Sequence, residues 1–363
     1  MNEHRMWEIV RRFGFTGETE SIAPYGRGHI NETYCVTCSG GHHYLLQNVN
    51  VRVFKNPQEV MENIERVTEH LRRKIRERGG DESREAMRLL HTVDGLSYVE
   101  DSLGEVWRAL TFIPNSKSYE IAQSERDCYL CGLAFGRFQS DLGDYPAGTL
   151  HVTIPDFHNT PVRLGAFLKA VEEDAAGRVR ECREEIAFLK ERSGCASYLT
   201  ERAGKGLLPE KVTHNDTKLN NVLFDKETGQ ILTVVDLDTV MPGLTAYDFG
   251  DMIRSGAVTG LEDEKNLDNF DFDIVKYGGY LRGFTEGCGG TLTDEEIRVL
   301  PMAAYVITYE QSLRFLADYL NGDKYYRISY PEHNYVRTRT QVKLLKRMEE
   351  QMDRMQNMAE AFL

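Results

Sequence analysis

Apolar residues in the first fifty positions alternate with polar ones in short runs. Residues 20–25, 33–38 and 43–48 read as three strands, separated by Gly26-Arg27-Gly28 and Gly40-Gly41. The period then changes. Val60, Ile64, Val67, Leu71 and Ile75 recur at helical spacing, Asn56 can cap that helix, Pro57 suits its first turn, and Gly79-Gly80 stops it. Two more strands, at 97–99 and 106–112, complete a first region of sheet, helix and sheet. Pro114-Asn115-Ser116 reads as a linker, which divides the chain into regions 1–115 and 116–363. Beyond it helical periodicity dominates, near 124–141, 162–190, 263–285, 295–320 and 332–360. The last of these carries Met348, Met352, Met355 and Met358 in a stripe, as expected of helix packing. The fold class is therefore α+β: a small antiparallel sheet with one helix, followed by a larger, mainly helical region.

One β-hairpin interrupts the helical region. Val222-Leu223-Phe224-Asp225 and Gln230-Ile231-Leu232-Thr233-Val234-Val235 flank the turn Lys226-Glu227-Thr228-Gly229. Folding it about that turn sets Asn221 across from Asp236, with Asp216 just upstream. A base candidate, an amide oxygen and a carboxylate then converge at one end of a small sheet. Metal-assisted phosphoryl transfer needs that set: an acceptor for the attacking hydroxyl's proton, and oxygen ligands for Mg²⁺ on nucleotide phosphates.

Composition narrows the field. The 363 residues suit about two domains, and a net charge of −13 argues against a nucleic-acid or anionic-membrane surface. No apolar stretch approaches a transmembrane span, and the first eight residues lack a signal-peptide core, so a cytoplasmic protein is expected. Seven cysteines include two CxxC pairs. Cys35 and Cys38 fall on opposite faces of a strand, whereas Cys128 and Cys131 share the apolar side of a helix, a pattern of buried thiols rather than a zinc site.

Tyr25-Gly26-Arg27-Gly28-His29-Ile30-Asn31 joins two strands, and its glycines allow backbone amides close to a phosphate. A strand follows, so this is no dinucleotide fingerprint, and no G-x-x-x-x-G-K-[ST] occurs. His29 and Asn31 either hang over the site or satisfy the turn's backbone.

At these residues the chain resembles the aminoglycoside phosphotransferase family of small-molecule kinases. H-x-D-x-x-x-x-N appears as His214 to Asn221, and the metal aspartate after a hairpin appears as Asp236, with Asp238 beside it. The resemblance is closer to the branch that phosphorylates N-acetylhexosamines. It is carried by Pro24 to Asn31, Asp236 to Gly243, Arg314 to Leu320, and Tyr330 to Asn334. It implies a bilobal protein-kinase-like fold and ATP- and Mg²⁺-dependent phosphorylation of the sugar's anomeric hydroxyl. Asp216 would be the base and Asn221 and Asp236 the metal ligands. Gly26, Arg27, Gly28 and Gln47 would face the nucleotide. His29, Asn31, Arg314 and Tyr325 would line the sugar pocket. From the residues alone, Arg314 either pairs with Glu310 one turn back or reaches a ligand.

Two departures stand out. Residues 1–50 hold no lysine, so the phosphate-binding lysine of the third strand is missing; Gln47 occupies its likeliest position. Glu62 or Glu65 on the following helix then lacks the usual partner. Asp248-Phe249-Gly250 spells the protein-kinase metal motif but lies past the Pro242-Gly243 turn, so Asp248 reads as a structural aspartate that caps a helix or braces the catalytic loop. The competing functions are kinases of homoserine, choline, methylthioribose or an aminoglycoside, an inactive kinase-fold binding module, and a metal-dependent phosphohydrolase. The last would need histidines clustered near the hairpin.

Overall fold

The computed structural model describes residues 3–26 and 31–363. Along the chain come α1 (Glu3–Val10), β1 (Thr19–Pro24), β2 (Glu32–Cys38), β3 (His42–Val49), α2 (Pro57–Glu77) and α3 (Glu82–Glu85). Then follow β4 (Leu89–Leu90), β5 (Val99–Glu100), β6 (Val106–Thr111), β7 (Ser116–Lys117), α4 (Glu125–Asp141), α5 (Thr160–Glu173), α6 (Arg183–Glu191) and α7 (Tyr198–Gly204). The remainder is β8 (Glu210–Thr213), β9 (Val222–Asp225), β10 (Ile231–Val234), β11 (Met241–Leu244), α8 (Thr245–Gly256), α9 (Ile274–Cys288), α10 (Asp294–Leu320) and α11 (His333–Glu360). The chain separates into two compact units. One holds residues 1–118, 144–155 and 222–242; the other holds 119–143, 156–221 and 243–363.

In the first unit an antiparallel sheet runs β1-β2-β3-β6-β4, with β5 also on β6. Alternation along each strand gives it two faces. On one, Val36, Leu46, Trp107 and Ala109 pack with Met6, Ile9 and Val10 of α1. The other carries Gln47 opposite Arg108 and Leu45 opposite Leu110. The apolar stripe of α2 is buried at Val60, Ile64, Val67, Leu71 and Ile75, as its spacing predicts. Asn56 makes no side-chain capping bond; Pro57 at the first turn starts the helix instead. β4 and β7 were not foreseen, because two-residue strands carry no period. Ser116, read above as linker, pairs with Asp225, so β7 joins β9 and β10 in a second small sheet.

The second unit is helical. Five expected helices become more numerous, for local reasons. The 162–190 run breaks at Asp174, which adopts φ 41° and whose carboxylate accepts the N–H groups of Arg178 and Val179, so α5 and α6 are separate. The 263–285 run begins only at Ile274, where Asp273 caps α9 through the N–H groups of Val275 and Lys276. α7 and α8 were missed. The α4–α9 crossing is glycine-mediated: a Cβ on Gly283 would meet the Tyr129 carbonyl, and one on Gly132 the Tyr280 carbonyl. Met348 and Met355 of α11 are fully buried, in keeping with the packing role of the methionine stripe. β11 pairs with β8, and its last two residues, Gly243 and Leu244, belong with β8 in this unit. Among the described residues no helix is long and apolar enough to cross a membrane.

Candidate active site

In the second unit, β8 ends at Thr213 and the chain turns through His214-Asn215-Asp216. Asn215 adopts φ 66°, a left-handed conformation that Asn tolerates better than most residues. The strain is held by buried bonds. Asp248, fully buried in the first turn of α8, accepts the Asn215 N–H at 2.7 Å and the His214 N–H at 3.0 Å. Gln139 Nε2 donates to the same carboxylate at 2.6 Å. Burial pushes the Asp248 pKa up, against the pull of His214 and the two amides. Asp248 thus braces the loop that carries Asp216, one of the two roles expected of it. Its neighbours have structural reasons too. Phe249 is fully buried, and a Cβ on Gly250 would stand 2.7 Å from the Ala303 carbonyl of α10.

The loop then closes on itself. Asn221 Nδ2 donates to the Asp216 carbonyl at 2.8 Å and to its carboxylate at 3.1 Å. Lys218 Nζ lies 2.5 Å from the other Asp216 oxygen. Thr217 N–H donates to Asp251 at 2.9 Å, and Asp251 is paired with Arg254. Asn221 commits its amide nitrogen to Asp216, so its amide oxygen is the atom that could ligate a cation.

Further into the same unit, His158 Nδ1 lies 2.9 Å from Glu310 Oε1, and its Nε2 lies 3.5 Å from the Asn215 carbonyl. Thr160 also donates to Glu310, at 2.8 Å. Burial would raise the Glu310 pKa, but His158, Arg314 and Thr160 outweigh it and lower it. Glu310 is therefore engaged by His158 and Thr160, and Arg314 Nη1 donates instead to Gln311 Oε1 at 3.2 Å. The Arg314 guanidinium stands 5.1 Å from the Phe157 ring centre, 5.7 Å from Tyr326 and 6.0 Å from Tyr325. Arg163 donates to the Phe157 carbonyl at 3.2 Å, and burial followed by the like charge of Arg314 lowers its pKa. This wall is aromatic and cationic.

In the first unit the hairpin forms with Val222 opposite Val234. Asn221 directly precedes β9, and Asp236 lies two residues past the end of β10, in a left-handed conformation with φ 63°. At the turn, Asp225 accepts the N–H groups of Glu227 and Thr228 at 3.0 and 2.8 Å and pairs with Arg84 at 2.8 Å. Gln47 does not stand alone where a lysine was expected. Its oxygen accepts Arg108 Nε and Nη2 at 2.9 and 2.7 Å, and its nitrogen donates to Thr33 at 3.0 Å. Asn31 Nδ2 donates to Asp238 at 2.5 Å. Glu62 accepts from His151 at 2.7 Å and Glu65 pairs with His91 at 2.8 Å, so each of these two glutamates of α2 finds a histidine partner. Gly26 has φ 72° and is exposed; Arg27, Gly28 and His29 lie outside the described residues.

Sequence reasoning missed Arg108, Lys218, His158 and Glu310 as a set. Arg108 had one signal, a charge inside the apolar run Val106-Trp107-Arg108-Ala109-Leu110. Lys218 had its place inside the H-x-D-x-x-x-x-N loop. Glu310 was visible only as a possible partner of Arg314, and its pairing with His158 had no signal because the two lie 152 positions apart.

A small antiparallel-sheet unit with one long helix, a larger helical unit, and an H-x-D-x-x-x-x-N loop preceding a hairpin define a protein-kinase-like phosphotransferase. The chain belongs to the phosphotransferase enzyme family, whose model matches residues 21–275. Solved structures share the fold. An aminoglycoside phosphotransferase from Alicyclobacillus acidocaldarius is 11% identical, with 98% of this chain and 96% of that one covered at a TM-score of 0.65. A microcompartment-associated aminopropanol kinase is 16% identical over 98% and 99% of the two chains, also at 0.65. Amicoumacin kinase, solved in complex with AMP-PNP, Ca²⁺ and Ami, is 11% identical over 97% and 94%, at 0.57.

Proposed function

We propose that this chain transfers the γ-phosphoryl group of ATP to the anomeric hydroxyl of an N-acetylhexosamine, N-acetylglucosamine or N-acetylgalactosamine. The observation that carries the reading is the closed catalytic loop, in which Asn221 holds both the carbonyl and the carboxylate of Asp216 while Asp248 braces the strained residue before it. In this reading Asp216 accepts the hydroxyl's proton as the hydroxyl oxygen attacks the γ-phosphorus and the bond to ADP breaks. Lys218, beside Asp216, adds a positive charge where the transferring group's charge spreads. Asn221 and Asp236 would hold Mg²⁺, and their hard oxygen donors fit that ion. When bound, the metal neutralises phosphate charge. Gly26, Arg27, Gly28 and Gln47 would face the nucleotide, with Gln47 acting through Arg108.

The acceptor assignment rests on chemistry as well as on resemblance. Arg314 and Arg163 near Phe157, Tyr325 and Tyr326 form a cationic aromatic wall, and Glu310, whose charge both arginines feel, is engaged by His158 and Thr160. Such a wall favours hydroxyl and carbonyl acceptors over ammonium groups. His29 and Asn31 would face the sugar by resemblance alone, since the Asn31 amide is engaged at both ends, by Asp238 and by the Asn50 N–H.

The test is coupled ADP release with ATP and Mg²⁺ over free sugars, choline, homoserine and kanamycin, with Asp216→Asn as control. Release with N-acetylglucosamine or N-acetylgalactosamine, but not with their 1-O-methyl glycosides, supports the reading. Loss of about 10²–10⁴ in kcat is expected in the control. Release with only a cationic acceptor, or none with any sugar, would overturn it.

A further inference from the structure

Arg108 is 1% exposed, and an arginine so buried must spend its donors on partners. It stands on β6 directly opposite Gln47 on β3. Two of its nitrogens share the Gln47 oxygen, and Nη1 forms an ion pair with Asp238. The other Asp238 oxygen receives Asn31 Nδ2 at 2.5 Å, and the Asn31 oxygen in turn accepts the Asn50 N–H at 3.0 Å. Thr33, Gln47, Arg108, Asp238 and Asn31 thus form one continuous polar network within the first unit, reaching from the sheet to the segment after β10.

That segment begins with Asp236 in its left-handed conformation and tightens into a turn over Leu237–Thr239. Arg108 and Asn31 pin it at Asp238. Asn63 of α2 pins it again, donating to the Val240 carbonyl at 3.0 Å. Asp236 therefore lies between the end of a paired strand and a residue fixed by a buried arginine. Two apolar side chains could fill the same space with less desolvation, so a buried charge pair here calls for a reason beyond packing.

We infer that Arg108 is a positioning residue for the metal ligand Asp236, acting through Asp238. It supplies, from the neighbouring strand, the fixed positive charge that the absent third-strand lysine does not. The inference rests on the kinase reading, in which Asp236 holds the metal.

The experiment titrates Mn²⁺ into the full chain with ADP, following the free-ion resonance by electron paramagnetic resonance. Calorimetry of ADP in EDTA runs in parallel. Arg108→Gln and Asp238→Asn are each expected to lose tenfold or more in Mn²⁺ affinity, while metal-free ADP binding moves less than twofold. Unchanged Mn²⁺ affinity, or an equal loss in metal-free ADP binding, would overturn the inference. So would tighter Mn²⁺ binding in Arg108→Gln, because Arg108 would then only repel the ion. If Arg108→Gln does not fold, Asp238→Asn decides alone. A wild-type chain that binds ADP yet takes up no Mn²⁺ would overturn the kinase reading itself, a result separate from any difference among variants.

Discussion

Asp248 Oδ1 accepts the backbone N–H of Asn215 at 2.7 Å, so a carboxylate buried in α8 sets the geometry of the residue immediately before Asp216. The motif it sits in spells a metal site, yet both of its oxygens are committed to protein donors. Asp248→Ala leaves two buried amides and the Gln139 amide without their acceptor. At roughly 1–3 kcal/mol for each unmet buried group, a loss of about 3 kcal/mol or more is expected. Urea unfolding of the two proteins measures it, and kcat should fall with it as Asn215 relaxes from its left-handed conformation.

Gly250→Ala tests the packing beside it. The new methyl would meet the Ala303 carbonyl at 2.7 Å and the Ile307 side chain. Overpacking of this kind costs about 1–3 kcal/mol. A lower melting temperature is expected, with α8 and α10 forced apart. An unchanged melting temperature would show that the helices give way freely.

Arg314→Met keeps the length of the side chain and removes its charge. If Arg314 faces the acceptor, KM for the sugar rises about tenfold, the value of one lost charged hydrogen bond. KM for ATP stays within twofold. Steady-state kinetics with each substrate varied in turn separates the two, and a shift in KM for ATP alone would remove Arg314 from the acceptor pocket.

The hairpin turn carries a pH signature. The Thr228 N–H and then Arg84 hold the Asp225 carboxyl far below its ordinary value of 3.8. A depressed acid stabilises the folded chain at pH values above its unfolded pKa. That contribution is lost as pH falls toward the folded value, because the unfolded chain takes up the proton first. The gap in urea midpoint between wild type and Asp225→Asn should therefore be widest near neutrality and shrink below about pH 4. A gap independent of pH would mean that the carboxylate's charge does not matter.

Legibility in the sequence followed the range of the interactions. β1, β2, β3 and β6, with α2, α10, α11 and the β9–β10 hairpin, are readable because alternation, helical spacing and turn residues act over a few positions. α8 was not. Its segment Thr245-Ala246-Tyr247-Asp248-Phe249-Gly250 carries a glycine and an aspartate inside the helix and is almost wholly buried, so no polar stripe marks a solvent face. The break at Asp174 was hidden for the opposite reason: one left-handed residue ends a helix without disturbing the pattern on either side. The Asp216/Asn221 pairing could be anticipated from five-residue spacing, whereas the partner of Glu310 could not.

Chain order alone determined the candidate chemistry: Asp216, Asn221 and Asp236 in sequence around one hairpin, and a glycine-containing turn where a lysine is absent downstream. Covalent continuity limits such residues to a few arrangements, so the motif is informative before any fold is known. Tertiary structure decided what holds those residues in place. Arg108 meets Asp238, Asp248 meets Asn215, and His158 meets Glu310 only because separate strands and helices pack against one another. Each pairing is settled by burial. A charge removed from water must find its partner wherever the packed chain brings one, and local sequence carries no record of that distance.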